Sequence, residues 1–304
     1  MVRVAILMPV FNEEKYIVEA IASVLDFSYP ADFSVELIVV DDFSSDQTFS
    51  LVEELREKYK SALNLKKNKS KGKNNAFNEA IAGAECDYVC LMGGDDKLIP
   101  ATLLARVRLL QKKVIANMEI PRYAISVCKI RTFSEQKRFD GILIPKKPGI
   151  GAISGGSVLM PSGLARSIFP LPVDVPNEDT WLSLHLRYRD IEVLHIGEVG
   201  LLYRIHDQNS HKRGGSFAEF QNSMWARGRV ILSYYVEHSN EMSKEKERQL
   251  LTELVVECLK SLGSVWSITF LARVGFKEKV KVLTYASPTA YHLKQKFYKY
   301  LVGR

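Results

Sequence analysis

Hydrophobic positions in the first hundred residues fall into two alternating rhythms. Short, β-branched apolar runs at Val2–Met8, Val35–Val40 and Tyr88–Met92 have the length and composition of strands. Between them, Glu14–Leu25, Ser45–Tyr59 and Asn74–Ala82 repeat their apolar residues at helical spacing. In the second of these helices, Phe49, Leu51, Val52 and Leu55 make one face, and Glu53, Glu54, Glu57 and Lys58 lie outside it. Ser44 or Ser45 is placed to cap that helix. Such alternation predicts a parallel sheet with crossover helices. After Pro100 the pattern is less regular: a helix, a strand over Ala124–Thr132, a Gly-rich segment Gly149–Gly156, and strands near Ile191–His195 and Gly200–Ile205. From Ser216 onward the spacing is helical, which divides the chain into an α/β domain over 1–212 and a basic helical region over 213–304.

Ligands of open α/β sheets bind outside the carboxyl ends of the strands. Three strand ends here carry polar clusters, Pro9–Glu13, Asp41–Asp46 and Gly93–Asp96. In the third, an apolar strand runs into Asp95 and Asp96, whose mutual repulsion is relieved either by a divalent cation or by a solvated turn. Asp41 can accept the imide N–H of a uracil or thymine ring, or cap a helix. Lys71 and Lys73 can meet phosphates or simply open a solvated helix. Glu178 and Asp179 form an acidic pair at a helix start, a place the helix dipole already favours.

Composition narrows the partners. The 304 residues are 46% hydrophobic and 25% charged, an ordinary globular balance. A net charge of +7 points to an anionic partner: nucleic acid, nucleotide phosphates or an anionic membrane. No nucleic-acid-binding module accompanies the charge, so nucleic acid is not expected. Cys86, Cys90, Cys128 and Cys258 have neither zinc-site nor disulfide-framework spacing, which fits a reducing cytosol. The first apolar run is too short for a secretory signal, and Leu262–Phe276 is shorter than the ~20 residues a bilayer span needs. The expectation is a cytoplasmic protein with no transmembrane helix.

Taken in order, the motifs resemble those of the inverting glycosyltransferases of family 2, which have the GT-A fold, over Val2 to about His211. The resemblance implies a mostly parallel twisted sheet flanked by helices, followed here by a helical appendage. In that family a first strand ends in a Pro-Val-Tyr-Asn-Glu-like turn, here Pro9, Val10, Phe11, Asn12 and Glu13, which cradles the nucleotide. A second strand ends in Val-Asp-Asp-x-Ser, here Val40, Asp41, Asp42, Phe43 and Ser44, with Asp41 implied at the base and Asp42 bracing the turn. Lys71, Gly72, Lys73 and Asn78 match a Gly-Lys-x-x-Ala-x-Asn stretch that faces phosphate or ribose. The metal motif Asp-x-Asp-Asp departs at its first acid, which is Gly93 here and is followed by Gly94, Asp95 and Asp96. That removes a ribose contact and leaves Asp95, with Asp96 second, to hold Mn²⁺ or Mg²⁺ together with diphosphate oxygens and water.

By the same resemblance, Pro176–Trp181 is the family's Glu-Asp motif, with Asp179 as catalytic base, Glu178 orienting the acceptor and Trp181 on the acceptor side. Gly155, Gly156 and Ser157 correspond to the acceptor loop. Tyr203-Arg204-Ile205-His206, with Asn209 and Ser210, corresponds to a segment in which Arg204 meets the diphosphate and His206 completes the metal shell. The implied activity moves a sugar from a nucleoside-diphosphate sugar, UDP- or dTDP-type, to a saccharide or lipid-linked acceptor in surface polysaccharide or glycoconjugate synthesis. Two rivals remain: a non-catalytic nucleotide-sugar-binding or assembly protein on the same fold, and a nucleotidyltransferase, whose Gly-rich basic first loop is absent here. The tail, with Arg273, Lys277, Lys279, Lys281, Lys294, Lys296, Lys299 and Arg304 among aromatic residues, reads as basic amphipathic helices. Such helices lie on the inner face of an anionic membrane, or pack on the domain itself or on a second copy in a homo-oligomer.

Overall fold

Strand β1 (Val2–Val10) lies between two parallel neighbours, β2 (Phe33–Asp41) and β4 (Tyr88–Leu91), and β3 (Leu63–Lys67) continues the parallel set beyond β2. With helices on both faces, β1 is buried on both, which is why its sequence is a continuous apolar run rather than an alternating one. Ala5, Leu7, Ile38 and Val40 pack on one side with Ala76, Phe77, Ala80 and Ile81 of α3 (Lys73–Ala82). Val4, Ile6, Met8, Leu37 and Val39 pack on the other with Ile17, Ile21 and Val24 of α1 (Ile17–Leu25) and Val52 of α2 (Thr48–Tyr59). This computed structural model describes residues 1–116, 123–176, 178–206 and 216–263, with scattered positions between 266 and 283 and the stretch 287–296. Asn209, Ser210 and most of the basic tail, including Arg273, Lys277, Lys281, Lys299 and Arg304, lie outside the described residues.

The sheet runs β3-β2-β1-β4-β8-β6-β9-β5, and its second half is mixed. Strand β8 (Val158–Pro161) is antiparallel to both β4 and β6 (Ala124–Phe133). Strand β9 (Glu192–Arg204) is parallel to β6 and antiparallel to the short β5 (Lys97–Leu98), while β7 (Leu143–Ile144) pairs with the far part of β6. The two strands expected at Ile191–His195 and Gly200–Ile205 are therefore one. Its pairing with β6 slips in register around Lys129, and this irregularity absorbs the glycines that read as a break. A Cβ on Gly197 would lie 3.1 Å from Gly149 Cα, so the glycine lets the two backbones approach closely there.

Two further expectations are corrected. Strand β3 was not foreseen, because Lys66 and Lys67 interrupt its apolar run, as suits a strand at the sheet's edge. Helix α2 begins at Thr48 and is not capped by Ser44 or Ser45; instead Asp46 Oδ1 accepts the Thr48 N–H at 2.9 Å. Among the described residues the remaining α-helices are α4 (Pro100–Ala116), α5 (Ser162–Ile168), α6 (Glu178–Tyr188), α7 (Phe217–His238), α8 (Lys244–Ser261) and α9 (Pro288–Lys296). Val230, Ile231 and Tyr234 of α7 and Leu250 of α8 join the same core as Trp181 and Leu182 of α6. Among the described residues no helix is long and apolar enough to cross a membrane.

Candidate active site

The ends of β1 and β2 are tied to each other by side chains. Asn12 turns the chain with φ 56°, and its Oδ1 accepts the Ser45 N–H at 2.8 Å. Ser44 Oγ accepts the Asn12 N–H at 3.0 Å, and Thr48 Oγ1 accepts the Glu13 N–H at 2.7 Å. Asp42 reaches the other way, accepting the Gly72 N–H at 2.8 Å and the Asn68 amide at 2.7 Å, and so fixes the turn that opens α3. Asp41 is 6% exposed. Its Oδ2 accepts the Ser44 N–H at 3.2 Å, whereas its buried Oδ1 has no partner, an arrangement that asks for a donor from outside the chain. Pro9 and Val10 are core residues, so only Phe11, Asn12 and Glu13 of that motif offer side chains to this edge. Lys71 Nζ sits over the half-exposed Phe11 ring, 5.4 Å from its centroid.

Beside this edge lies a group of acids. Gly94 packs so closely on β1 that a Cβ there would come within 2.7 Å of Val10 Cγ1 and 3.3 Å of Glu13 Cγ. Burial, then the charges of Asp95 and Asp46, push the Glu13 carboxyl up to about 8. Burial and the neighbouring Asp95 also hold the Asp96 carboxyl well above the usual carboxylate range. Gly93 leaves the space that Asp95 Oδ1 occupies, since a Cβ there would sit 2.6 Å from it. His206 Nε2 approaches Asp95 Oδ2 at 3.1 Å, and the Arg204 backbone N–H donates to Asp96 Oδ1 at 2.9 Å. The Arg204 guanidinium donates to the Asp95 carbonyl at 2.8 Å, pairs with Glu19 and stacks between Tyr16 and Phe133. Glu13 and Asp96, driven toward protonation first by burial and then by neighbouring carboxylates, stand with Asp95 and an adjacent imidazole, a donor set that fits a hard divalent cation. Among the described residues no three His, Cys, Asp or Glu side chains converge as a closed site, so such an ion would draw other ligands from substrate and water.

The second acidic pair opens α6. Asp179 Oδ1 accepts the Gly155 N–H at 2.5 Å, and Oδ2 accepts the Ser154 hydroxyl at 3.2 Å. Burial and the adjacent Glu178 raise the Asp179 carboxyl, against the lowering pull of Gly155, Lys73 and Ser154. Glu178 Oε1 receives Lys73 Nζ at 2.7 Å, while its buried Oε2 has no partner. Lys73 also lies within electrostatic reach of both Asp179 and Asp95, which places the two acidic groups around one lysine. The Gly155–Ser157 turn leaves little room for side chains at its two glycines. A Cβ on Gly155 would meet Asp179 Oδ1 at 3.1 Å, and one on Gly156 would meet Leu201 Cδ2 at 2.7 Å.

Three expected contacts are placed elsewhere. Trp181 points into the core, 2% exposed, with its indole N–H on the Ile168 carbonyl, because the fourth residue of α6 faces α7 rather than the acceptor edge. Asn78 spends both ends of its amide on the Leu171 backbone, at 2.9 and 2.6 Å, and so holds the segment before α6. The Ser157 hydroxyl is buried and donates within its own turn. Ser154 was missed as a partner of Asp179. The signal was the spacing of Ser154 and Ser157, whose side chains close a capping box around the two glycines.

Comparison with known proteins bears on the family and the fold. The family model of Glycosyl transferase family 2 matches residues 5–160. The chain is 36% identical over 97 residues to the probable glycosyltransferase YdaM of Bacillus subtilis (strain 168), a match covering 31% of this chain and 23% of that protein. It is likewise 36% identical over 107 residues to the poly(ribitol-phosphate) beta-N-acetylglucosaminyltransferase TarS of Staphylococcus aureus, covering 34% of this chain and 18% of that protein. These matches span about a fifth of the relatives' own length. The fold superposes on S. aureus TarS 1-349 in complex with UDP-GlcNAc with a TM-score of 0.59 at 19% identity, covering 97% of this chain and 81% of that one. On the mannosyltransferase PcManGT from Pyrobaculum calidifontis, in complex with GDP-Man and Mn²⁺, the TM-score is 0.57 at 17% identity, covering 98% and 83%. A match across half the chain, carrying the strand-end motifs in order, makes this protein a member of glycosyl transferase family 2 with the GT-A fold.

Proposed function

We propose that the chain transfers a sugar from a nucleoside-diphosphate sugar, with uridine or thymidine favoured, to a saccharide or lipid-linked acceptor in the synthesis of a surface polysaccharide or glycoconjugate. The observation that carries this reading is that Asp41 ends β2 beside Asp42, which holds Gly72, while the next residue, Lys73, lies within electrostatic reach of both Asp95 of the Glu13–Asp95–Asp96 group and Asp179. On the donor side, the open Oδ1 of Asp41 takes the imide N–H of the base, with Phe11 beside it. On the acceptor side, Asp179 takes the proton of the attacking hydroxyl as the new C–O bond forms at the anomeric carbon. The diphosphate departs from the opposite face, so the centre inverts. A positioned carboxylate contributes ~10²–10⁴-fold to such a step. Glu178, through its unpartnered Oε2, binds the acceptor next to the base, and Lys73 carries positive charge between donor and acceptor. Asp95, with Asp96 and His206 beside it and with water and diphosphate oxygens as the remaining ligands, would supply the carboxylate for Mn²⁺ or Mg²⁺, which would neutralise charge on the diphosphate. Arg204 positions this group through the Asp95 carbonyl and the Asp96 carboxylate.

The basic tail supports a place at the inner face of a membrane, where a lipid-linked acceptor would be met. The test is nucleoside diphosphate release from a panel of UDP-, dTDP- and GDP-sugars with Mn²⁺. Slow release without acceptor from at least one uridine or thymidine sugar is expected. Binding of these donors with no release from any of them would instead favour a binding protein on the same fold.

A further inference from the structure

Under the acceptor turn lies a charge that none of the steps above uses. Arg106, in α4, is fully buried, yet no carboxylate lies within ion-pair distance of its guanidinium among the described residues. Its Nη1 donates to the Ser157 carbonyl at 3.0 Å, its Nη2 approaches Cys90 Sγ at 3.9 Å, and its Nε has no partner. A buried guanidinium without a counter-ion is expensive, and an apolar side chain of the same length would fill the space at less cost. What an apolar side chain could not supply is a donor with a direction. Here it grips the end of the turn whose beginning holds Asp179.

The path is short. Ser157 is bound by Arg106 through its carbonyl and by Ser154 and Ala152 through its hydroxyl, and the Ser157 N–H returns to the Ser154 carbonyl at 2.9 Å. Gly155 and Ser154, inside the same four-residue turn, are the two donors to the Asp179 carboxylate. The thiols of Cys90 and Cys128 meet the Gly156 and Ser157 carbonyls at 3.7 and 3.6 Å, so the turn rests on one cation and two weak donors. We infer that Arg106 is a positioning residue for transfer: it clamps the 154–157 turn from beneath and thereby fixes the orientation of Asp179. This rests on the reading of Asp179 as base.

The test uses Arg106→Met, which keeps side-chain length without the charge, and Arg106→Lys, which keeps one cationic donor. Steady-state kinetics with a turned-over donor, thermal stability and UDP affinity are measured on the full chain. The Met variant is expected to fold at least as stably as wild type, bind UDP normally and retain its donor KM, while kcat falls ~10–100-fold, the scale of a small misplacement of a reacting group. The acid limb of its kcat–pH profile should move to higher pH, because Asp179 loses the Gly155 N–H that holds its carboxyl down. Arg106→Lys should recover part of kcat. Normal kcat and an unmoved pH profile in the Met variant overturn the inference, as does a Lys variant no better than Met. If the Met variant does not fold, wild-type kcat and pH profile in Arg106→Lys, whose ammonium cannot reproduce the fork on Ser157 and Cys90, also overturn it. Asp179→Asn separates the two ideas. Loss of activity there with full activity in Arg106→Met sinks only the clamp, whereas activity retained in Asp179→Asn sinks the base.

Discussion

Asp41, at the end of β2, keeps one carboxylate oxygen buried and unpartnered, whereas Asp179, at the start of α6, has both oxygens held by the Ser154–Gly155 turn. On the proposed function, the difference separates recognition from reaction. An acceptor left open in the parallel half gains a hydrogen bond only when a ligand arrives, so it discriminates between ligands. A carboxylate fixed on two sides in the mixed half is already oriented before the acceptor arrives, which removes that ordering step from the barrier. The Glu13–Asp95–Asp96 group stands between the two, crowded enough that charge must come from elsewhere.

The sharpest way to break this contrast is at Asp179. Replacement by Asn keeps the Gly155 N–H bond through its one oxygen, reverses the Ser154 bond so that the hydroxyl accepts, and removes the basic oxygen, so kcat should fall ~10²–10⁴-fold with UDP affinity unchanged. Near-normal transfer would erase the distinction between the two carboxylates. Trp181→Ala tests whether the mixed half is a packed scaffold here. It should cost ~3–5 kcal/mol of unfolding free energy in urea titration while sparing UDP affinity. Lost acceptor affinity at unchanged stability would return Trp181 to the acceptor site. Asp95→Ala should weaken Mn²⁺-dependent UDP binding by about 10–100-fold in calorimetric titration, and equal affinities with and without metal would count against the acidic group as its holder. Asp41→Ala should weaken UDP binding by ~1.5 kcal/mol and leave CDP, whose ring N3 carries no hydrogen, nearly unaffected, and an equal loss for both would mean that Asp41 does not read the imide N–H.

The two halves should also titrate in opposite senses in metal-free buffer. Glu13 goes from an ordinary value of 4.5 to about 8 on folding, so the folded chain keeps a proton that the unfolded chain has lost. Stability should therefore fall as pH rises from about 4.5 to about 8, by at most ~1.4 kcal/mol per pH unit, and Glu13→Gln should flatten that slope. His185, buried near His238 and Arg189, drops from 6.5 to about 3, so its contribution is present above 6.5 and lost as pH falls toward 3. His185→Leu should flatten the acid side. Urea midpoints across pH check both, and slopes unchanged by either substitution would contradict the assignment.

Legibility in the sequence followed the same division. In the parallel half, strands buried on both faces give unbroken apolar runs, and their polar ends mark the ligand edge, so β1, β2, β4 and the positions of Asp41 and Asp95 could be read directly. In the mixed half, β9 was split by glycines whose role is close packing on Gly149 and Cys128, a tertiary matter with no local signature. Trp181 and Asn78 sat inside motifs that invite a ligand, yet long-range contacts to Ile168 and Leu171 use them. Arg106 carried no motif at all. Its position in an otherwise apolar stripe of α4 was the one available hint.

The most direct measurement is a crystal structure of the full chain with UDP and Mn²⁺. The account predicts the uracil N–H on Asp41 Oδ1, the metal between Asp95 and the diphosphate, and Asp179 facing the open side of that phosphate. A nucleotide bound away from Asp41, or a diphosphate with no metal at Asp95, would contradict it.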